Sequence, residues 1–254
     1  MSTSARTFVG IGGWNFAPWR ETFYPPGLPA SQELRHASRR LTAIEVNGTF
    51  YSTFQPRTFA HWRDETPDGF VFSLKAHRST THRKELATAG EAIERFLASG
   101  VAELGDKLGP IVWPFMPAKK FDAADFEAFL ALLPRALDGR PLRHVLDVRH
   151  PSFADPQYLP LARRHGCVTV CTDSPKYLQL VDPEAPFAYL RLMRSEAERA
   201  TGYPPEELDG WAAGARAWTA GPRPRDAFIF FINGAKERAP GAAEALLARL
   251  RAMA

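Results

Sequence analysis

Six ionisable residues lie late in short apolar runs of this chain: Glu45, Lys75, Asp147, Arg149, Asp173 and Arg191. Two arginines and a lysine brought together would suit a phosphate or carboxylate, because the guanidinium offers a bidentate fork. Glu45 or Asp147 would act as general acid or base if burial raised its pKa. Lys75 completes the catalytic candidates. It would form a Schiff base only with a lowered pKa, and three nearby acids act in the opposite direction. The same six residues could instead form a structural ion-pair network, since interior charges are normally paired. His77, His82, Glu45, Asp147 and Asp173 include ligand types for zinc or manganese. No HxH or HExxH spacing accompanies them, so no metal or cofactor is assigned.

The elements that must position these residues follow from the hydrophobic period. In "HVLDVRH" (144–150), an extended chain sends Val145, Asp147 and Arg149 to one face and Leu146 and Val148 to the other. Seven further runs read the same way, at 8–13, 42–47, 70–76, 110–115, 167–173, 187–193 and 228–234. Between them, Ile93, Phe96, Leu97, Val101 and Leu104 keep the three-and-four spacing of a helix face. So do Phe126, Phe129, Leu130 and Leu133, and then Leu208, Trp211, Ala215 and Trp218. Asp122 is placed to cap the second of these helices. Residues 241–254 read as a final helix.

Strands alternating with helices predict a parallel sheet with right-handed crossovers. Eight such units in 254 residues predict a single α/β domain over 1–254, a (β/α)8 TIM-type barrel. An open doubly wound sheet would show strands apolar on both faces. These strands alternate instead, and their polar members fall late, at the rim where barrels of this kind carry their sites.

Composition narrows the class. With 45% hydrophobic and 24% charged residues, the chain is that of a folded protein. No apolar run approaches the ~18 residues of a membrane span. The N-terminal segment lacks the pattern of a secretory signal, so a cytoplasmic location is expected. Cys167 and Cys171 are expected to be buried, reduced thiols, being poorly spaced for a relaxed disulfide. A net charge of +4, spread along the chain, permits anionic partners without requiring nucleic acid.

Once the strands are placed, the sequence resembles the YecE-like family, known as domain of unknown function 72. The resemblance is carried by "GIGGWNFAPWRETFYP" (10–25), "IEVNGTFYS" (44–52), "FVFSLKAHRSTTH" (70–82), "LGPIVWPF" (108–115), "LDVRHPSF" (146–153), "CTDSP" (171–175), "YLRLM" (189–193) and "FFINGAKERAPGAA" (230–243), in order along nearly the whole chain. It implies a TIM-type barrel and supplies no activity. The chain departs from the family pattern at Pro114, where Gln is frequent, at Asp147, where Glu is usual, and at Met193-Arg194, where His-Gly is usual. A reaction depending on that Gln or His is not expected here.

The function expected is therefore hydrolase-like acid/base chemistry on a small phosphorylated or carboxylated compound. Glu45, Asp147 and Lys75 would be catalytic. Arg149, Arg191, Asn47, Asn233, Asp173 and His77 would bind the substrate, and Trp14 and Tyr51 would offer ring faces to it. A nucleic-acid-binding or phosphodiester-cleaving barrel is the alternative, motivated by the basic isoelectric point and the rim aromatics. A glycosidase using Glu45 and Asp147 as paired carboxylates is a third reading.

Overall fold

Runs rich in Val, Ile and Phe become the strands of this computed structural model, which describes residues 4–253. They are β1 (Thr7–Gly12), β2 (Ala43–Val46), β3 (Val71–Lys75), β4 (Leu108–Pro114), β5 (Ala136–Leu137), β6 (Arg140–Pro141), β7 (His144–Asp147), β8 (Cys167–Thr169), β9 (Cys171–Thr172), β10 (Ala188–Leu192) and β11 (Ala227–Phe231). Nine of them share one sheet in the order β8-β7-β4-β3-β2-β1-β11-β10-β9. The run expected as a single strand over 167–173 is interrupted at Val170 into β8 and β9. Those halves stand at the two ends of the order, so the order returns to the run where it began. This is the (β/α)8 TIM-type fold. The Asp-Gly pair at 138–139 adds an unexpected two-strand ribbon, β5 with β6. Both residues take positive φ, 48° and 76°, as a tight hairpin turn requires.

The helices are α1 (Glu33–Arg40), α2 (Gly48–Tyr51), α3 (Pro56–Glu65), α4 (Gly90–Leu97), α5 (Ala123–Ala131), α6 (Tyr158–Arg164), α7 (Pro205–Ala220) and α8 (Ala239–Ala252). The single face expected over 93–104 breaks after Leu97. Gly100 takes φ 111°, and 3-10 turns over Val101–Lys107 bury Val101 and Leu104 instead. Asp122 caps α5, its carboxylate accepting the Asp125 amide at 3.0 Å. Asp122→Ala should therefore lower stability by about 1 kcal/mol, read as a shifted urea midpoint with an unchanged slope. Ala254, the last residue of the expected final helix, and residues 1–3 of the N-terminal segment lie outside the described residues.

Contacts divide the chain into two compact units. The first takes the chain up to Glu45, Glu65–Val71 and everything from Pro186 on. Its strands β2, β1, β11 and β10 pair in parallel, with Gly10 opposite Ala43 and Arg191 opposite Phe230. Val9, Ile11, Ile229 and Leu246 are buried in its core. The second unit holds Val46–Asp64 and Phe72–Ala185, with β3, β4, β7 and β8 in parallel. Its core is aromatic: Phe115 and Phe126 rings lie 5.2 Å apart, Phe126 and Phe153 5.4 Å, Trp113 and Phe129 5.8 Å. Such tilted and edge-on pairs add to the area they bury. Buried His144 is neutral and structural, accepting from Trp113 Nε1 at Nδ1 (3.1 Å) and donating from Nε2 to the Pro134 carbonyl (2.8 Å), while burial lowers its pKa.

Both thiols are free. Cys167 is buried, and burial pushes its pKa up to about 12, whereas Cys171 is half-buried rather than fully enclosed. Among the described residues no helix is long and apolar enough to cross a membrane.

Candidate functional site

In the second unit the strand ends deliver a cationic cluster. Lys75 closes β3, buried, with its ammonium 4.5 Å from the Phe50 ring centroid. Its backbone is fixed by Thr49, whose hydroxyl reaches the Lys75 carbonyl at 2.7 Å and so anchors the start of α2 to the end of β3. Asp147 closes β7. The strand expected over 144–150 stops there, so Arg149 leaves from the following turn and folds back, its Nη2 2.8 Å and its Nε 3.4 Å from the Asp147 carboxylate. The two are unequally reachable, since the Arg149 side chain is 20% exposed and that of Asp147 only 5%. The guanidinium also lies 4.9 Å from the centroid of Tyr177.

His82 registers the charge of this cluster. Its ring meets Phe50 edge-on at 5.2 Å. Partial burial lowers its pKa, and the positive charges of Arg149, Arg78 and Lys75 lower it further. His77 serves its own turn. Nδ1 accepts the Ser79 amide at 3.3 Å and lies 2.8 Å from the Ser79 hydroxyl, so the ring is tied to the turn through that nitrogen. His150 and Ser152 repeat this His-x-Ser arrangement after β7. Asn47 is half-buried and its side-chain amide makes no hydrogen bond to the described residues. Tyr51 is 63% exposed. Asp173 is buried just past β9, and its charge adds to the burial that raises the Cys171 thiol.

The first unit holds a different arrangement. Glu45 is fully buried. It accepts from Tyr189 Oη at 2.8 Å and from Arg191 Nη2 at 3.1 Å, with Arg191 Nε 3.1 Å from its other oxygen. Alternation along β10 sends Tyr189 and Arg191 to the same face, which is why both reach one carboxylate. Trp14 is half-buried and its carbonyl accepts from Tyr24. Within this aromatic-rich first loop Trp19 and Tyr24 are buried, so they pack the loop. Asn233 lies beyond the end of β11, exposed, with its carbonyl held by Ser195 Oγ at 2.8 Å.

Sequence patterning thus brings together Asp147 with Arg149, and Glu45 with Arg191. It does not foresee Phe50, Tyr177 and Arg78 as neighbours of the cations, nor Tyr189 on Glu45. The alternation of β10 carries a signal for Tyr189; the loop residues carry none. Among the described residues no three His, Cys, Asp or Glu side chains are grouped so as to hold a metal ion, so the zinc or manganese set weighed from the sequence is not assembled.

Parallel strands alternating with helices, with charged side chains at the strand ends, define the class as a (β/α)8 TIM-type barrel. The chain belongs to the family described as "Protein of unknown function DUF72", whose model matches residues 8–254. UPF0759 protein YecE of Escherichia coli (strain K12) is 26% identical over 146 residues, 58% of this chain and 49% of that protein. UPF0759 protein YunF of Bacillus subtilis (strain 168) is 27% identical over 115 residues, 43% and 40% of the two. The chain thus matches about half the length of these curated relatives, or less. A solved DUF72 family protein from Thermotoga maritima superposes with a TM-score of 0.74 at 24% identity, covering 98% of each chain, and so shares the fold.

Proposed function

We propose that the protein is an enzyme performing acid/base, hydrolase-like chemistry on a small phosphorylated or carboxylated compound bound at the Lys75–Arg149 cluster. The observation carrying this reading is that Lys75 and Arg149 leave the ends of β3 and β7 in the same unit, Lys75 4.5 Å from the Phe50 ring that His82 also meets and Arg149 4.9 Å from the Tyr177 ring. Their charges, with that of Arg78, lower the His82 pKa. Three cations against the one carboxylate of Asp147 leave a positive local field, which favours an anion. Arg149, the exposed member of its ion pair, is the fork for that anion, with Lys75 as a point charge beside it. Asp147, the carboxylate paired with Arg149, takes the role of proton acceptor once the bound anion draws Arg149 away from it. His77 and Asn47 supply hydrogen bonds, Asp173 a second carboxylate, and Tyr51 and Tyr177 ring faces for the body of the substrate. Glu45, held by Arg191 and Tyr189, holds structure in this reading. For Glu45 to transfer a proton it would first have to leave Arg191.

A screen of phosphorylated metabolites and sugar acids by thermal shift, followed by calorimetric titration, tests the reading. A ligand should raise the melting temperature of wild type by mass action. Arg149→Ala should weaken its binding about tenfold to a hundredfold, the worth of a charge-assisted hydrogen bond of about 1.5–3 kcal/mol. Asp147→Asn should keep binding and lose turnover. Unchanged affinity in Arg149→Ala would overturn the assignment. The second reading, nucleic-acid binding, is favoured by exposed Tyr51 and by exposed Arg78, Lys84, Lys120 and Lys176 in the same unit. Short oligonucleotides in the same screen separate it, because their binding would weaken steeply with salt.

A further inference from the structure

Lys236 is a cation with no part in the reading above. It follows β11 and is half-buried, its Nζ 4.4 Å from the ring centroid of Phe16 and 5.4 Å from that of Trp19. Among the described residues no carboxylate pairs with it, neighbouring Glu237 included; burial alone holds its pKa below the usual lysine range. Ring faces attract an ammonium without neutralising it. A partly desolvated charge left in that state gains by acquiring a counter-ion.

The backbone that carries the amine is also held in place. Trp19, fully buried, donates from Nε1 to the Lys236 carbonyl at 3.0 Å. Ser195 Oγ reaches the carbonyls of Asn233 and Ala235 at 2.8 and 3.1 Å, and the Ala235 amide returns a bond to the Ser195 carbonyl at 2.7 Å. Gly234 makes this closure possible: it takes φ 81°, and a Cβ there would stand 2.5 Å from the Ser195 carbonyl oxygen. The segments after β10 and β11 are therefore tied together. They carry exposed Arg194, whose side chain has no ion-pair partner among the described residues, and exposed Asn233. These strands are the seventh and eighth of the fold, whose following loops frequently bind phosphate.

We propose that Lys236, walled by Phe16 and Trp19 and carried on the tied segments that also bear Asn233 and Arg194, is an anion site that takes the phosphate group of a small metabolite. It rests on the reading above for the class of ligand, and on a separate set of residues for everything else. An ammonium, with a guanidinium and an amide on the same tied segments, is the donor chemistry that a phosphate oxyanion accepts.

The test is lysine acetylation of the full chain, quantified residue by residue by mass spectrometry, with and without inorganic phosphate at ionic strength matched by chloride. At a phosphate concentration about twice its dissociation constant, occupancy should slow labelling of Lys236 about threefold. Lys107, bound through Nζ to the Arg63 carbonyl, should be unaffected. Protection should persist in Arg149→Ala, even where that variant has lost metabolite binding, which tells the two sites apart. Lys236→Gln should remove that share of the phosphate-induced rise in melting temperature that Arg149→Ala leaves intact. Equal labelling of Lys236 with and without phosphate overturns the proposal. Protection that vanishes in Arg149→Ala overturns it as well, because the effect then belongs to the Arg149 cluster.

Discussion

Arg191→Ala should lower the stability of the fold by about 3–5 kcal/mol, the usual consequence of removing one partner from a buried ion pair. The reason is what remains. Glu45 is fully buried in β2, and after the change only Tyr189 would still donate to it. A carboxylate taken out of water with a single neutral donor is far from compensated. The contrasting variant is the double replacement Glu45→Met with Arg191→Met, which removes both charges at similar volume. It should recover most of the loss, since apolar substitutes for whole buried pairs are often neutral or better. Denaturant midpoints of the wild type, single and double variants check this. A single variant as stable as wild type would mean that the pair is not what holds β2 to β10.

Gly10→Ala is the second large effect, expected to destabilise by about 3 kcal/mol or more, at or above the upper range for overpacking. Gly10 sits in the middle of β1, opposite Ala43 of β2. A Cβ on it would stand 1.9 Å from the Ala43 carbonyl oxygen. The obstacle is backbone, so no rotamer change can relieve it, and the strands would have to part where their ladder is closest. Expression at low temperature and a denaturation curve read the result. Wild-type stability in this variant would contradict the β1–β2 register.

These two positions also show what was legible in the sequence. Most strand runs are legible because their period is two and their polar members fall late, as with Glu45 in β2 and Asp147 in β7, whereas the run at 110–115 is apolar throughout and is legible by composition alone. The pairing of Asp147 with Arg149 was half legible: the spacing put both on one face, but the strand ends at Asp147 and Arg149 bends back from a turn. The 93–104 helix misled because apolar periodicity does not record that Gly100 adopts a left-handed conformation, so the buried positions continue while the helix stops. The Asp-Gly turn at 138–139 carried a clear hairpin signal, but its flanking strands are only two residues each and show no period. Lys236 was invisible as a site. Its aromatic walls come from Phe16 and Trp19, more than two hundred residues away in the chain, and local spacing cannot report such a meeting.

In the proposed function Lys75, Arg78 and Arg149 create a field for an anion, and His82 is a built-in probe of it. Because the folded state lowers the His82 pKa below its ordinary value near 6.5, folding disfavours that proton. The contribution of His82 to stability is therefore intact above pH ~6.5 and is lost as pH falls through the unfolded and then the folded pKa. A bound dianion would cancel the field of the cations and raise the His82 pKa, so anion affinity should grow as pH falls through this window. The decisive measurement is an NMR titration of the His82 ring, assigned with His82→Gln, with and without sulfate at ionic strength matched by chloride. Sulfate is chosen because it does not itself titrate near neutrality. Expected are a pKa below 6.5 in wild type, a rise on adding sulfate, and in Arg149→Ala a higher starting value with the sulfate response lost. An ordinary pKa in wild type that sulfate leaves unmoved would contradict it.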